Sequence, residues 1–203
     1  MSDAAVEQGI DKDRRTWIAI TCGAGAVGGV AVAVPFVSTL APSERARAAG
    51  APVEVDISGV KPGEKLTVEW RGKPVWIVRR TQAQLDALPK IAPQLADPQS
   101  LRKPAELTPA YARNPARSIK PEFFVGVGIC SHLGCSPSDR FQAGAQPSLP
   151  DDWAGGFLCP CHGSTFDLAG RVFKNKPAPD NLEVPPHMYL SDTTLVIGED
   201  KKA

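Results

Sequence analysis

The sequence predicts an all-β protein: an antiparallel β-sandwich head, a small ligand-bearing subdomain inserted between its strands, and one N-terminal transmembrane helix ahead of them. Three observations carry this expectation. Residues 16–43 contain no charged side chain. Short segments with apolar residues at every second position, separated by Pro62-Gly63 and Gly72-Lys73 turns, begin at Val53. Two six-residue boxes, Cys130-Ser131-His132-Leu133-Gly134-Cys135 and Cys159-Pro160-Cys161-His162-Gly163-Ser164, hold four of the five cysteines and two of the three histidines.

Trp17 to Leu40 is about 24 residues, or roughly 36 Å of helix, long enough to cross a bilayer with some tilt. A cleavable signal peptide is the competing reading: Ser38-Thr39-Leu40-Ala41 offers an imperfect small-residue cleavage site, although the apolar run exceeds a typical signal core. Lys12, Arg14 and Arg15 precede the run and place the N-terminus (residues 1–15) in the cytoplasm, against the weaker pull of Arg45 and Arg47 beyond it. The span (16–40) then crosses a bacterial inner membrane once, and the head lies in the periplasm. Arg14-Arg15 before an apolar stretch also resembles a twin-arginine export signal, which carries folded proteins. Gly25 and Gly29 form a G-x-x-x-G pair that could admit close helix contact, or simply reflect the glycine content of membrane helices. Pro35 is expected to bend the outer end, and Cys22 to be a small apolar filler.

Residues 41–52 are small, polar and bounded by prolines, so they are expected to be a flexible hinge. As a coil such a segment spans about 20 Å, and about 40 Å drawn out. The head, residues 53–203, is one domain by length. Residues 53–57, 65–70 and 75–80 alternate as half-buried strands. Thr81 is placed to cap a short helix through Leu88. Prolines recur from Pro89 to Pro121, which predicts an irregular insertion with one or two short helices. Residues 123–127 return as a strand before the first box, Phe157-Leu158 leads into the second, Arg171-Val172-Phe173 follows it, and Leu195-Val196-Ile197 closes the sheet. His187 is expected to be a solvent-facing strand residue.

The chemistry lies in the boxes. Each supplies one thiolate and one imidazole, as Cys-x-His and as Cys-x-x-His, and each carries a further cysteine. Two thiolates and two imidazoles suit a [2Fe–2S] cluster in which histidines replace two cysteines on one iron. They also suit tetrahedral zinc, but that leaves Cys135 and Cys161 unexplained, and a one-residue Cys-x-His gap is atypical of zinc knuckles. With neutral imidazoles the oxidised cluster carries no formal charge, so adding an electron costs less than at a four-thiolate centre. Potentials of such centres run from about −150 to +300 mV, against about −400 mV for plant-type ferredoxins.

Both boxes resemble those of the Rieske iron–sulfur proteins. Lys176-Pro177-Ala178-Pro179-Asp180-Asn181-Leu182-Glu183-Val184-Pro185 is similar to the proline loop of the Rieske subunits of quinol–cytochrome c reductases, and Arg71-Gly72-Lys73-Pro74-Val75 resembles that family's second hairpin. The resemblance implies that Cys130 and Cys159 bind one iron and His132 and His162 the other, within a cluster-binding part at about residues 129–184. It implies that Cys135 pairs with Cys161, and that Leu133, Pro177, Ala178 and Pro179 shield the cluster. It implies that the Ser164 hydroxyl donates to a bridging sulfide. Phe166 stands where many high-potential members have a tyrosine donating to a ligand sulfur. One such bond is worth about 0.5–1.5 kcal/mol, or about 20–65 mV for a one-electron couple, so a midpoint below the highest members is expected.

The function implied is electron transfer. The cluster takes an electron, coupled to a proton, from quinol held by cytochrome b, and passes it to a membrane-anchored c-type cytochrome of a dimeric complex surrounded by membrane lipid. His162, beside the proline-loop side, is the expected quinol contact, with His132 as its counterpart. The small subunit of an arsenite oxidase shares the boxes and the export signal, and is the alternative. A soluble Rieske ferredoxin normally lacks both the span and the second cysteine pair. With 23 basic and 22 acidic residues the chain has no nucleic-acid footprint.

Overall fold

The uncharged run is helical. In the computed structural model, which describes residues 12–102 and 107–200, helix α1 is Lys12–Ser38. The first eleven residues of the expected cytoplasmic segment lie outside that range, as do residues 103–106 of the proline-rich insertion. None of the α1 residues is buried by protein, and Trp17, Val27, Val30 and Phe36 are all exposed. The helix is long and apolar enough to cross a membrane. Thr16 Oγ1 donates to Lys12 O at 2.9 Å and Thr21 Oγ1 to Trp17 O at 2.8 Å. Those hydroxyls are thus satisfied within the helix, as a hydrocarbon surround demands.

The chain divides into two units, residues 1–47 and 48–203. Across that boundary the expected coil is partly ordered: helix α2 is Glu44–Ala49. Ser43 caps it, its Oγ accepting from Ala46 N at 3.2 Å, and alanine and arginine favour the helix that follows.

In the second unit, β1 is Val53–Asp56, β2 Lys65–Trp70, β3 Lys73–Arg79, β4 Phe123–Val127, β5 Ser138–Arg140, β6 Gly156–Leu158, β7 Thr165–Asp167, β8 His187–Tyr189 and β9 Thr194–Ile197. They form three antiparallel three-stranded sheets, ordered β1-β9-β8, β2-β3-β4 and β5-β6-β7. The β2–β3 turn falls on Arg71 and Gly72, at φ 53° and 70°. Two positive φ values in a two-residue hairpin loop match the right-handed twist of its strands.

Sheet β2-β3-β4 is the middle layer, because the registered pairs of β3 and β4 are apolar on both faces. Val75 and Val127, and Ile77 and Val125, pack with Val55, Leu195 and Ile197 of the β1-β9-β8 sheet and with Ile57 just beyond β1. On the other face Trp76 lies opposite Gly126 and Val78 opposite Phe124, and these pack with Phe157, Phe166, Leu182, Cys130 and Cys159. The ligand-bearing subdomain, inserted between β4 and β8, is therefore bolted to the sandwich through a shared core. Trp76 stacks on Phe157 with centroids 4.8 Å apart.

Helix α3, Gln82–Ile91, opens on a capping box in which Thr81 Oγ1 accepts from Gln84 N and Gln84 Oε1 from Thr81 N. Among the described residues, two short 3₁₀ turns, Ala92–Gln94 and Ala110–Ala112, punctuate the irregular stretch after it. The strand expected at residues 171–173 reduces to isolated bridges, Phe166 with Val172 and Leu95 with Phe173. The pairing with β7 is short: Asp167 N donates to Arg171 O at 2.9 Å and Phe173 N to Thr165 O at 3.1 Å.

His187 corrects the expectation of a solvent-facing residue: it is buried. Its Nδ1 sits 2.8 Å from Pro185 O, and its ring meets that of Tyr111 edge-on. Burial lowers its pKa, against the opposing influence of the Pro185 carbonyl. Arg80, Arg117 and Arg171 are likewise buried, and each donates to backbone oxygens, although the Nε of Arg80 and of Arg117 finds no partner. Burial brings Arg80 and Arg117 down to about 10, Asp167 working against the fall in both, so they stay charged at neutral pH.

Candidate metal centre

The two boxes fold into near copies of one loop. In the first, Gly134 N donates to Cys130 O at 3.1 Å and Cys130 N to Cys135 O at 2.8 Å. In the second, Gly163 N donates to Cys159 O at 3.0 Å and Cys159 N to Ser164 O at 2.7 Å. Gly134 and Gly163 turn the chain at φ 79° and 74°, a left-handed conformation that glycine adopts without strain. The second box is the loop of the β6–β7 hairpin, and the first joins β4 to β5. Each six-residue frame begins with the cysteine expected to be a ligand, Cys130 in one and Cys159 in the other. The histidine falls at the third place in one and the fourth in the other.

This frame sorts the donors by depth. Cys130 and Cys159 are each 2 % exposed, at the floor. His162 is exposed and His132 half-buried, with ring centroids 4.8 Å apart and planes at 88°. Burial pushes the Cys130 thiol up, and the Cys159 sulfur adds to the rise; the His132 backbone N–H and the Ser164 hydroxyl work the other way. Two inward sulfurs under two adjacent imidazoles could hold a two-iron cluster with its histidine side toward solvent. Cys135 and Cys161 are joined as a disulfide bridging the two loops, which leaves Cys130 and Cys159 as the free thiols of the boxes.

Both boxes are pinned to the proline loop by a serine. Ser164 Oγ accepts from Ala178 N at 3.0 Å, which leaves its hydroxyl hydrogen for the Cys130 sulfur. Ser131 Oγ donates to Asp180 O at 2.6 Å and accepts from Asp180 N at 3.3 Å. Ala178 is consequently buried, whereas Pro177, Pro179 and Leu133 are exposed, Leu133 at 71 %. Ser131 was not among the residues expected to matter. The signal available was its place between Cys130 and His132, both expected ligands, but its partner lies 49 residues away. Asn181 fastens the loop's far end: its Oδ1 accepts from Val172 N at 2.9 Å and its Nδ2 donates to Asp97 O at 2.9 Å. Phe166 is wholly buried.

The chain is similar to known proteins over most of its length. Residues 112–186 match the model of the Rieske [2Fe-2S] domain, and residues 5–43 match that of the ubiquitinol-cytochrome C reductase Fe-S subunit TAT signal. The chain is 57 % identical to the ubiquinol-cytochrome c reductase iron-sulfur subunit of Allochromatium vinosum, over 96 % of this chain and 92 % of that one. It is 41 % identical to the protein of the same name from Bradyrhizobium diazoefficiens, over 91 % and 94 %. Among solved structures, a chain of a hyperthermophilic respiratory Complex III aligns with a TM-score of 0.46 and 28 % identity, over 88 % of this chain and 98 % of that one. The chain carries a Rieske [2Fe–2S] domain, and it belongs to the family of ubiquinol–cytochrome c reductase iron–sulfur subunits.

Proposed function

We propose that this chain is the electron-transfer subunit of a quinol–cytochrome c reductase, with Cys130 and Cys159 holding one iron of its cluster and His132 and His162 the other. The observation that carries this reading is the edge-to-face pair of histidines, centroids 4.8 Å apart, above two buried thiols. When bound, the cluster supplies a one-electron acceptor of high potential. The chain's own residues do the rest. His162, exposed at the rim, presents a ring nitrogen to quinol held by cytochrome b and accepts its hydrogen bond. His132, more covered, completes the donor set. Leu133, Pro177 and Pro179 offer an apolar rim that keeps water from the sulfurs and fits an apolar docking crater. The Ala178–Ser164–Cys130 hydrogen-bond relay stabilises negative charge on the sulfur side.

The onward partner is the membrane-anchored c-type cytochrome of the complex. Helix α1 is the anchor, set among lipid with its N-terminus in the cytoplasm and the head in the periplasm, and residues 41–52 serve as the hinge between them. The complex is taken to be a dimer. Electron paramagnetic resonance on dithionite-reduced membranes tests the reading: a rhombic [2Fe–2S] signal that shifts on adding a quinol-site inhibitor is expected. A signal indifferent to that inhibitor would transfer the chain to a different redox assembly, and its absence would remove the cluster.

A further inference from the structure

The structural disulfide sits beside a ligand sulfur. The Sγ atoms of Cys135, Cys159 and Cys161 all lie within 4.8 Å of one another, although Cys135 and Cys161 already form the bridge. Cys159 is buried at 2 % exposure, Cys135 half-buried and Cys161 exposed, while Cys130 is not part of this trio. A thiol held against a disulfide is a reactant, since exchange needs only a thiolate, a sulfur within reach and a leaving group that solvent stabilises.

We propose that, in the cluster-free chain, Cys159 is the nucleophile of an internal thiol–disulfide exchange that consumes a ligand position. The Cys159 thiolate attacks Cys135 Sγ. A Cys159–Cys135 bond forms, the Cys135–Cys161 bond breaks, and Cys161 departs as a thiolate that takes up the proton Cys159 released. One disulfide is exchanged for one disulfide, so no electron is gained or lost and no oxidant is needed. Attack on Cys135 is favoured over attack on Cys161 for two reasons. The displaced Cys161 faces solvent, and a Cys159–Cys161 bond would have to close a tight ring around Pro160 alone. With iron on Cys159 the sulfur's lone pair is engaged and exchange is silent. Without it, the chain moves into a form that cannot take a cluster back until an added thiol resets the bridge. The boxes thus contain a one-way record of cluster loss. This inference rests on where the sulfurs lie and not on quinol oxidation, so either reading can fail alone.

The test uses the full chain in detergent, loaded or stripped of iron by a chelator, held anaerobically at pH 8.5, then acid-quenched, alkylated and mapped by mass spectrometry without reduction. Stripping is expected to raise the Cys135–Cys159 cross-linked peptide at least tenfold over the loaded protein and to expose Cys161 to alkylation. The free thiols must stay at three per chain, because exchange conserves them. Iron uptake from ferrous iron and sulfide should fall in proportion and return after dithiothreitol. A stripped protein with only the Cys135–Cys161 link would overturn the proposal, as would random cross-links that include Cys22, the mark of an unfolded chain. A Cys130→Ser chain, purified without stripping, gives an independent answer: it retains all three sulfurs and must show the same product, and an intact Cys135–Cys161 bridge there would equally overturn it.

Discussion

Replacing Asp167 by asparagine is expected to cost the head about 3–5 kcal/mol. Asp167 and Arg171 are 0 % and 1 % exposed, so water screens nothing between them. Asp167 Oδ1 accepts from the backbone N–H of Ala169 at 3.0 Å and of Arg171 at 2.7 Å, while Oδ2 receives the Arg171 guanidinium at 2.7 Å. Its charge also offsets Arg80 and Arg117, both of which feel it inside the protein. Asparagine keeps one acceptor but turns an NH₂ toward a guanidinium, leaving three buried cations short of their carboxylate. Unfolding entropy of about 2.1 cal/mol/K per residue gives a head of roughly 150 residues about 0.3 kcal/mol per degree, so the apparent midpoint should drop by about 10–16 °C. Far-ultraviolet circular dichroism of the variant and the parent, scanned at one rate, measures it. A drop below about 3 °C would refute the reasoning, because it would mean the buried cations do not depend on this carboxylate. The Asp167→Asn/Arg171→Met double variant should recover part of the loss, as removing both partners of a buried pair costs less than removing one.

Ser164→Ala removes a donor to the Cys130 sulfur and should lower the cluster midpoint by about 20–65 mV in a redox titration; an unchanged midpoint would show that the hydroxyl does not reach the sulfur. His187 gives a pH dependence of definite sign. Its folded pKa is depressed, so its stabilising contribution is complete above the unfolded value near 6.5 and is lost as pH falls below it, at up to about 1.4 kcal/mol per pH unit. The groups acting on its ring are the Pro185 carbonyl, Tyr111, Tyr189 and Asp200, and His187→Gln should flatten the urea midpoint between about pH 5 and 7. Gly128→Ala places a methyl against the Trp76 indole and should cost about 1–3 kcal/mol, read as a fall in melting temperature with a changed near-ultraviolet spectrum.

Much of the site could be read from the chain because its instructions are local. Cys-x-His, Cys-x-x-His and the glycine that closes each loop lie within six residues, and the backbone hydrogen bonds that close each loop stay inside those six. Strand β2 followed from alternation, and helix α3 from Thr81 as its cap. β5 was missed because Ser138-Asp139-Arg140 has no apolar face of its own: it is a strand only because β6 offers a ladder. The hinge expectation overlooked that Ser43 followed by Glu, Arg and Ala is a helix start as well as a polar linker.

Composition and spacing were enough to point to an apolar helix, a β head and two boxes that offer a Cys₂His₂ set, since each is a pattern of neighbours along the backbone. Depth and long-range partnership were beyond them. That His187 is buried, that three arginines sit inside the head, that Ser131 and Ser164 pin the proline loop, and that Cys159 lies against a disulfide all depend on chain segments brought together from 14 to 88 residues apart or on the packing around them. A linear pattern fixes which side chains a segment offers. Which of them lose their water, and what replaces it, is settled only when the layers close over one another.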